Sequence, residues 1–192
     1  MTFEIEDLMN LGDKNLVPVL TYLFRRIEKA LDGSPTILVL DEAWIMLGHP
    51  VFRAKIREWL KVMRKANCAV ILATQSLSDA RNSGILDVLT ESCPTKIFLP
   101  NGSAEDAGQK ELYEGMGLNG KQISIIRNSE PKRDYYIVSP QGRRKVQLAL
   151  KPKALSFVGA SDKESIARIR ELAAEYGPEA WPKAWLRERG AA

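Results

Sequence analysis

The chain has 192 residues, 45% of them hydrophobic and 27% charged, with a formal net charge of +4. That length carries one domain with a sizeable core, and the composition excludes disordered and disulfide-stapled classes. No stretch approaches the ~20 consecutive apolar residues that span a bilayer. One histidine and two cysteines without a C-x-x-C spacing leave no metal-ligand cluster.

The acidic start, Met1 to Asp7, has neither a basic nor an apolar region, so no secretory signal is expected. Met1 to Ile5 alternates and reads as an edge strand. Asn15 to Leu31 places Leu16, Leu20, Leu23, Phe24, Ile27 and Leu31 at helical spacing and stops at Asp32-Gly33-Ser34-Pro35. Thr36 to Leu40 is a short apolar run, read as a strand buried on both faces. His49 before Pro50 is read as a loop residue. Val51 to Ala66 is an amphipathic helix with Phe52, Ile56, Trp59, Leu60 and Met63 on one side. Cys68 to Ala73 is a second buried strand, Ser78 to Thr90 a helix, and Lys96 to Leu99 a third strand.

This alternation is an α/β pattern with parallel strands. Beyond it, 104–114 and 121–127 read as helices. Tyr135–Val138 and Lys145–Leu150 read as an antiparallel hairpin about Pro140-Gln141-Gly142. Ser161 to Tyr176 is a helix with Ser161 as its cap and Glu164 completing a capping box. Gly177-Pro178 ends it, and the tail with Trp181 and Trp185 forms one more short helix. Cys68 and Cys93 lie in or beside apolar runs and are expected to be free thiols.

Chemistry-bearing residues gather where the buried runs end. A parallel sheet binds ligands at the carboxyl edge of its strands. Asp41-Glu42 ends the first run in a Walker B arrangement. There an acid holds magnesium, usually through the ion's own waters, and a neighbouring carboxylate polarises the attacking water. Asp41 is assigned to the metal and Glu42 to the water. The plainer alternative is that both acids are turn formers. Thr74-Gln75 ends the second run, where a glutamine can touch a terminal phosphate or orient the water. Arg64-Lys65, just before that run, can serve a neighbouring subunit's site as an arginine finger, or simply favour a helix dipole. Gly115-Met116-Gly117-Leu118-Asn119-Gly120-Lys121-Gln122 matches G-x-x-x-x-G-K, but it has Gln where Ser or Thr binds magnesium and follows a helix instead of a strand. It is read as a helix–helix turn.

Two basic clusters stand out. One runs through Arg53, Lys55, Arg57, Lys61, Arg64 and Lys65. The other comprises Lys132, Arg133, Arg143, Arg144, Lys145, Lys151 and Lys153. Solvated faces are the simplest account of both, and nucleic-acid contact is the alternative.

Four blocks in order carry a resemblance: Leu38-Val39-Leu40-Asp41-Glu42-Ala43-Trp44, Trp59 to Asn67, Ala73-Thr74-Gln75-Ser76-Leu77, and Pro94 to Asn101. Together they resemble the conjugative-transfer and type IV secretion ATPases of the TrbE/CagE class, from about Phe3 to about Leu150. The resemblance implies a partial RecA-like P-loop NTPase fold of the FtsK/HerA type over 1–150. That fold is a mainly parallel sheet flanked by helices, with a C-terminal β-hairpin and a helical extension over 151–192. It implies ATP and Mg2+ as cofactors, Glu42, Gln75 and Arg64 as catalytic residues, and Asp41 and Thr74 as nucleotide-binding residues, with Asp41 on the metal. It implies further a hexamer of like subunits working with secretion components at the cytoplasmic face of the bacterial inner membrane.

The family carries a Walker A loop upstream of the Walker B strand. Only residues 1–35 precede that strand here, without such a loop, so the resemblance is to the C-terminal half of the motor. Two classes of function follow. The chain is either one portion of an ATPase site completed by another polypeptide, or a non-catalytic module docking on a secretion ATPase or on DNA through its basic faces.

Overall fold

The computed structural model describes residues 2–3, 12–43, 47 and 49–191. Trp44 and most of the proposed edge strand at Met1–Ile5 lie outside them. The chain divides into two compact units, 1–146 and 147–192.

In the first unit, helix α1 (Asp13–Ala30) buries Leu16, Leu20 and Phe24, its apolar stripe at i, i+4, i+8. Asp32 then closes a turn, its Oδ1 accepting from the Ser34 amide at 3.0 Å and the Ser34 hydroxyl at 2.6 Å. Strand β1 (Thr36–Leu40) follows, then helix α2 (Pro50–Val62) and a 3-10 turn over Met63–Ala66. His49 is more than a loop residue: it caps α2, its Nδ1 accepting from the Val51 amide at 3.3 Å, with Pro50 in the first turn where it has no amide to satisfy. Asn67 turns the chain in the left-handed region (φ 55), which Asn tolerates, and its side-chain amide donates to the Gly33 carbonyl at 3.1 Å.

Strand β2 (Cys68–Leu72) then lies parallel to β1 in the register Thr36↔Cys68 to Leu40↔Leu72. Two short helices, α3 (Leu77–Asn82) and α4 (Leu86–Ser92), replace the single helix expected over 78–90. Gly84 at φ 69 breaks the run, and the Ser83 hydroxyl accepts from the Ile85 amide at 3.3 Å.

Two expectations are corrected. Strand β3 (Lys96–Phe98) does not join β1 and β2. It pairs antiparallel with β4 (Asp134–Ser139), which is followed by β5 (Gly142–Gln147) in a separate three-stranded sheet, so the sheet is not mainly parallel. Nor are β1 and β2 buried on both faces. Leu38, Leu40, Val70 and Leu72 face the core, while Ile37, Val39 and Ile71 are exposed. Among the described residues, α1 and α2 supply the cover for one face only.

The centre of that cover is aromatic. Phe24 meets Phe52 edge-on at 5.5 Å and Trp59 at 4.5 Å. Trp59 is 1% exposed, and its indole donates to Glu28 Oε1 at 2.8 Å. Burial pushes the Glu28 carboxyl up, but the hydrogen bonds from Lys55 and Trp59 outweigh it and hold it below the usual range. Trp59→Ala is expected to cost about 3–5 kcal/mol, read as a lowered urea midpoint. A change under about 0.5 kcal/mol, typical of surface sites, would remove Trp59 from the core.

A second cluster joins Phe98, Tyr113, Leu118, Ile123, Ile126 and Tyr136 across β3, β4 and helices α5 (Ala107–Gly115) and α6 (Gly120–Arg127). Both cysteines are free, and burial pushes both thiols up.

The second unit holds α7 (Pro152–Val158) and α8 (Lys163–Glu188), the latter broken at Gly177 (φ 74) into two helical runs. The cap of α8 is Asp162 in place of Ser161: its carboxylate accepts from the Ser165 amide at 2.8 Å, so Glu164 completes no box with Ser161. The tryptophan-bearing tail is helical, as expected. The Trp185 indole donates to the Ser156 carbonyl at 2.7 Å, and Arg168 binds Glu188 across the break.

Candidate functional site at the strand tips

Parallel pairing brings the ends of β1 and β2 together. The ladder runs past both strands, with the Ala73 amide donating to the Leu40 carbonyl at 3.0 Å and the Ala43 amide to the Ala73 carbonyl at 2.9 Å. This fixes 41–43 beside 73–75.

Asp41 is exposed, and its Oδ1 accepts from the Glu42 amide at 3.0 Å. Glu42 adopts φ 50, a left-handed backbone that a glutamate seldom takes. Its Oε1 accepts from Gln75 Nε2 at 2.9 Å, across 33 residues of sequence. The structure thus joins two of the residues singled out from sequence, one from each strand tip. Such a pair holds one carboxylate oxygen in place and leaves Oε2 for a water.

Thr74 is turned into its own turn, where its hydroxyl donates to the Ser76 carbonyl at 3.2 Å. Ser76, which sequence reasoning passed over, accepts from the Ser78 amide at 3.1 Å and so caps α3. The signal was there to read, a serine just ahead of an apolar-periodic run.

Arg64 and Lys65 are not brought to this edge. They are exposed in the 3-10 turn at the amino end of β2. The five residues of β2 put about 16 Å of strand between that end and the tips. Arg81 lies on α3, on the carboxyl side, also exposed.

The first basic cluster is partly consumed by internal bonds. Lys55 pairs with Glu28 at 2.6 Å and Glu58 at 3.1 Å, Arg57 donates to the Gly84 carbonyl at 3.2 Å, and Arg53 donates to the Leu47 carbonyl at 3.0 Å. In the second, Lys145 pairs with the buried Asp134 at 3.1 Å, while Arg143 and Arg144 are exposed on β5.

The glycine-rich segment 115–122 joins α5 to α6. Asn119 caps α6 by accepting from the Gln122 amide at 3.1 Å, and Gln122 accepts from the Asn119 amide at 2.9 Å. Gln122 is therefore a capping residue in a helix–helix turn.

A magnesium ion that keeps most of its waters needs few protein oxygens. Asp41, with one carboxylate oxygen free of protein partners, fits that demand. Among the described residues no group of three His, Cys, Asp or Glu side chains gathers to hold a metal directly.

No family model matches the chain. It is 69% identical over 189 residues to a probable conjugal transfer protein TrbE of Sinorhizobium fredii, covering 98% of this chain and 28% of that protein. It is 67% identical to the "Conjugal transfer protein TrbE" of Rhizobium radiobacter, covering 99% of this chain and 23% of the relative. The "Type IV secretion system protein virB4" of Bartonella henselae is 32% identical over 88% of this chain and 21% of its own length. The solved structure of VirB4 of Thermoanaerobacter pseudethanolicus shares the fold, with a TM-score of 0.62 over 78% of this chain and 41% of that one, at 21% identity. The chain spans about a quarter of the length of these curated relatives. Over nearly its whole length it corresponds to the C-terminal portion of the TrbE, VirB4 and CagE proteins of conjugal transfer and type IV secretion.

Proposed function

We propose that residues 1–150 are the C-terminal portion of a RecA-like motor domain that hydrolyses ATP to energise conjugal transfer or type IV secretion, with 151–192 a helical extension. The observation that carries this reading is the hydrogen bond from Gln75 to Glu42, which makes one unit of two strand tips. In it, Glu42 Oε2 takes a proton from the attacking water. Gln75 holds Oε1 and orients the carboxylate. Asp41 holds magnesium through the ion's waters, and the bound metal and nucleotide supply the phosphate to be transferred. Thr74 shapes the turn that presents Gln75. The phosphate-binding amides and lysine, which give most of the affinity for nucleotide, come from outside 1–192.

The assembly is a ring of like subunits, six in number, beside other secretion components at the inner-membrane surface. No helix among the described residues is long and apolar enough to cross a membrane, which agrees with peripheral attachment.

The purified 192-residue chain is accordingly expected to show no measurable ATP turnover. Magnesium-dependent hydrolysis by the chain alone, abolished by Glu42→Gln, would overturn this and return attention to Gly115–Lys121. A second reading, DNA contact, draws on the exposed Arg143 and Arg144 of β5. It requires an affinity that falls steeply as salt rises, and salt-independent binding would remove it.

A further inference from the structure

The outer face of the β1–β2 pair has the wrong chemistry for water. Ile37 is 69% exposed, Val39 59% and Ile71 50%. Single exposed aliphatics are ordinary, but these are neighbours: Ile37 pairs with Ala69 and Val39 with Ile71 across the ladder. Parallel sheets occur with both faces covered, and their strands are continuously apolar for that reason. Here the sequence is apolar on both faces, yet only one is covered. Strand alternation carries the exposed row on to Asp41 and Ala73, both exposed at the carboxyl edge. Whatever covers this face therefore ends beside the acid assigned to magnesium.

We infer that this face, built by Ile37, Val39 and Ile71, is the docking surface for the stretch that precedes the matched region in longer relatives. The chain answers to only 28% and 23% of two relatives that it matches almost end to end, at their C-terminal portion. An apolar helix face from that stretch would complete the missing layer. The inference rests on the reading above in one respect, that the same stretch brings the phosphate-binding groups to Asp41.

The test co-expresses the tagged chain with the segment of Rhizobium radiobacter TrbE that precedes the matched region. Complex formation is measured by size exclusion with light scattering, and affinity by titration. Val39→Lys with Ile71→Lys should lower the affinity about a hundredfold, the effect of keeping two aliphatic side chains from burial. The chain's own circular dichroism and melting midpoint should not move, because both side chains already face water. Should the double lysine variant fail to fold, Ile71→Thr keeps the β-branched shape and should still weaken the complex.

Association that survives these changes, or fails to form with the wild-type chain, overturns the inference. So does a wild-type chain that is dimeric alone and becomes monomeric with the lysines, since a second copy would then occupy the face. A complex that forms, is lost with the lysines and yet shows no magnesium-dependent turnover upholds the surface and sinks the ATPase reading instead.

Discussion

In a complete motor carrying these residues, Glu42→Gln is expected to cut ATP turnover by about 10²–10⁴-fold, the usual contribution of a positioned general base, with nucleotide binding nearly unchanged. The geometry makes this substitution unusually clean. Glu42 uses Oε1 to accept the Gln75 amide, and a glutamine can offer its carbonyl oxygen to the same donor. The strand tips therefore stay joined and only proton acceptance is lost. A lower kcat with KM held would mark an interaction made in the transition state. Equal loss of binding and turnover would make Glu42 a structural residue or a direct metal ligand. The two alternatives separate further in Asp41→Asn, which should weaken the magnesium dependence of binding and leave the Glu42–Gln75 contact in place.

Much of this site was legible before any coordinates, because the two apolar runs end abruptly in polar residues and their order is that of a parallel pair. What could not be read was the contact itself. Glu42 and Gln75 are 33 positions apart, and only the register Leu40↔Leu72 brings them together. The left-handed backbone at Glu42 was equally invisible, since a Glu carries no glycine-like signal for positive φ.

The error over β1 and β2 has a physical cause of its own. A continuous apolar run reports the environment the strand is built for, a sheet covered on both faces. It does not report how much of that cover lies within these residues. The same argument explains β3: Lys96-Ile97-Phe98 is too short to declare a direction, and its partner Tyr136-Ile137-Val138 comes from the far side of two helices. The break at Gly84 was readable but outweighed by the helical spacing around it. The shift of the α8 cap from Ser161 to Asp162 is a one-residue choice between two good capping side chains.

Arg64 is expected to act across a subunit boundary and Gln75 within its own site. The strand separates them: Gln75 leaves the carboxyl end of β2, while Arg64 sits in the turn before its amino end, with about 16 Å of strand between the two ends. An arginine side chain does not bridge that span back to its own Glu42, but from an exposed turn it can reach a neighbour. In a uniform ring, Arg64→Ala should lower turnover by about 10³–10⁵, as removal of an arginine finger does. Gln75→Ala should also impair it, by freeing the Glu42 carboxylate.

Mixed rings separate the two roles. Co-assembling Arg64→Ala subunits with Glu42→Gln subunits should restore activity, because the Glu42→Gln subunit, inactive itself, still lends its arginine to an intact site next door. Co-assembling Gln75→Ala with Glu42→Gln subunits should restore nothing, since each then has a defect inside its own site. If the Arg64→Ala mixture stays inactive as well, the finger assignment fails. Arg64 would then be a helix-end charge favoured by the dipole or a contact for DNA. The search would move first to Lys65, its neighbour in the same exposed turn, and then to Arg81, which already stands on the carboxyl side of the sheet.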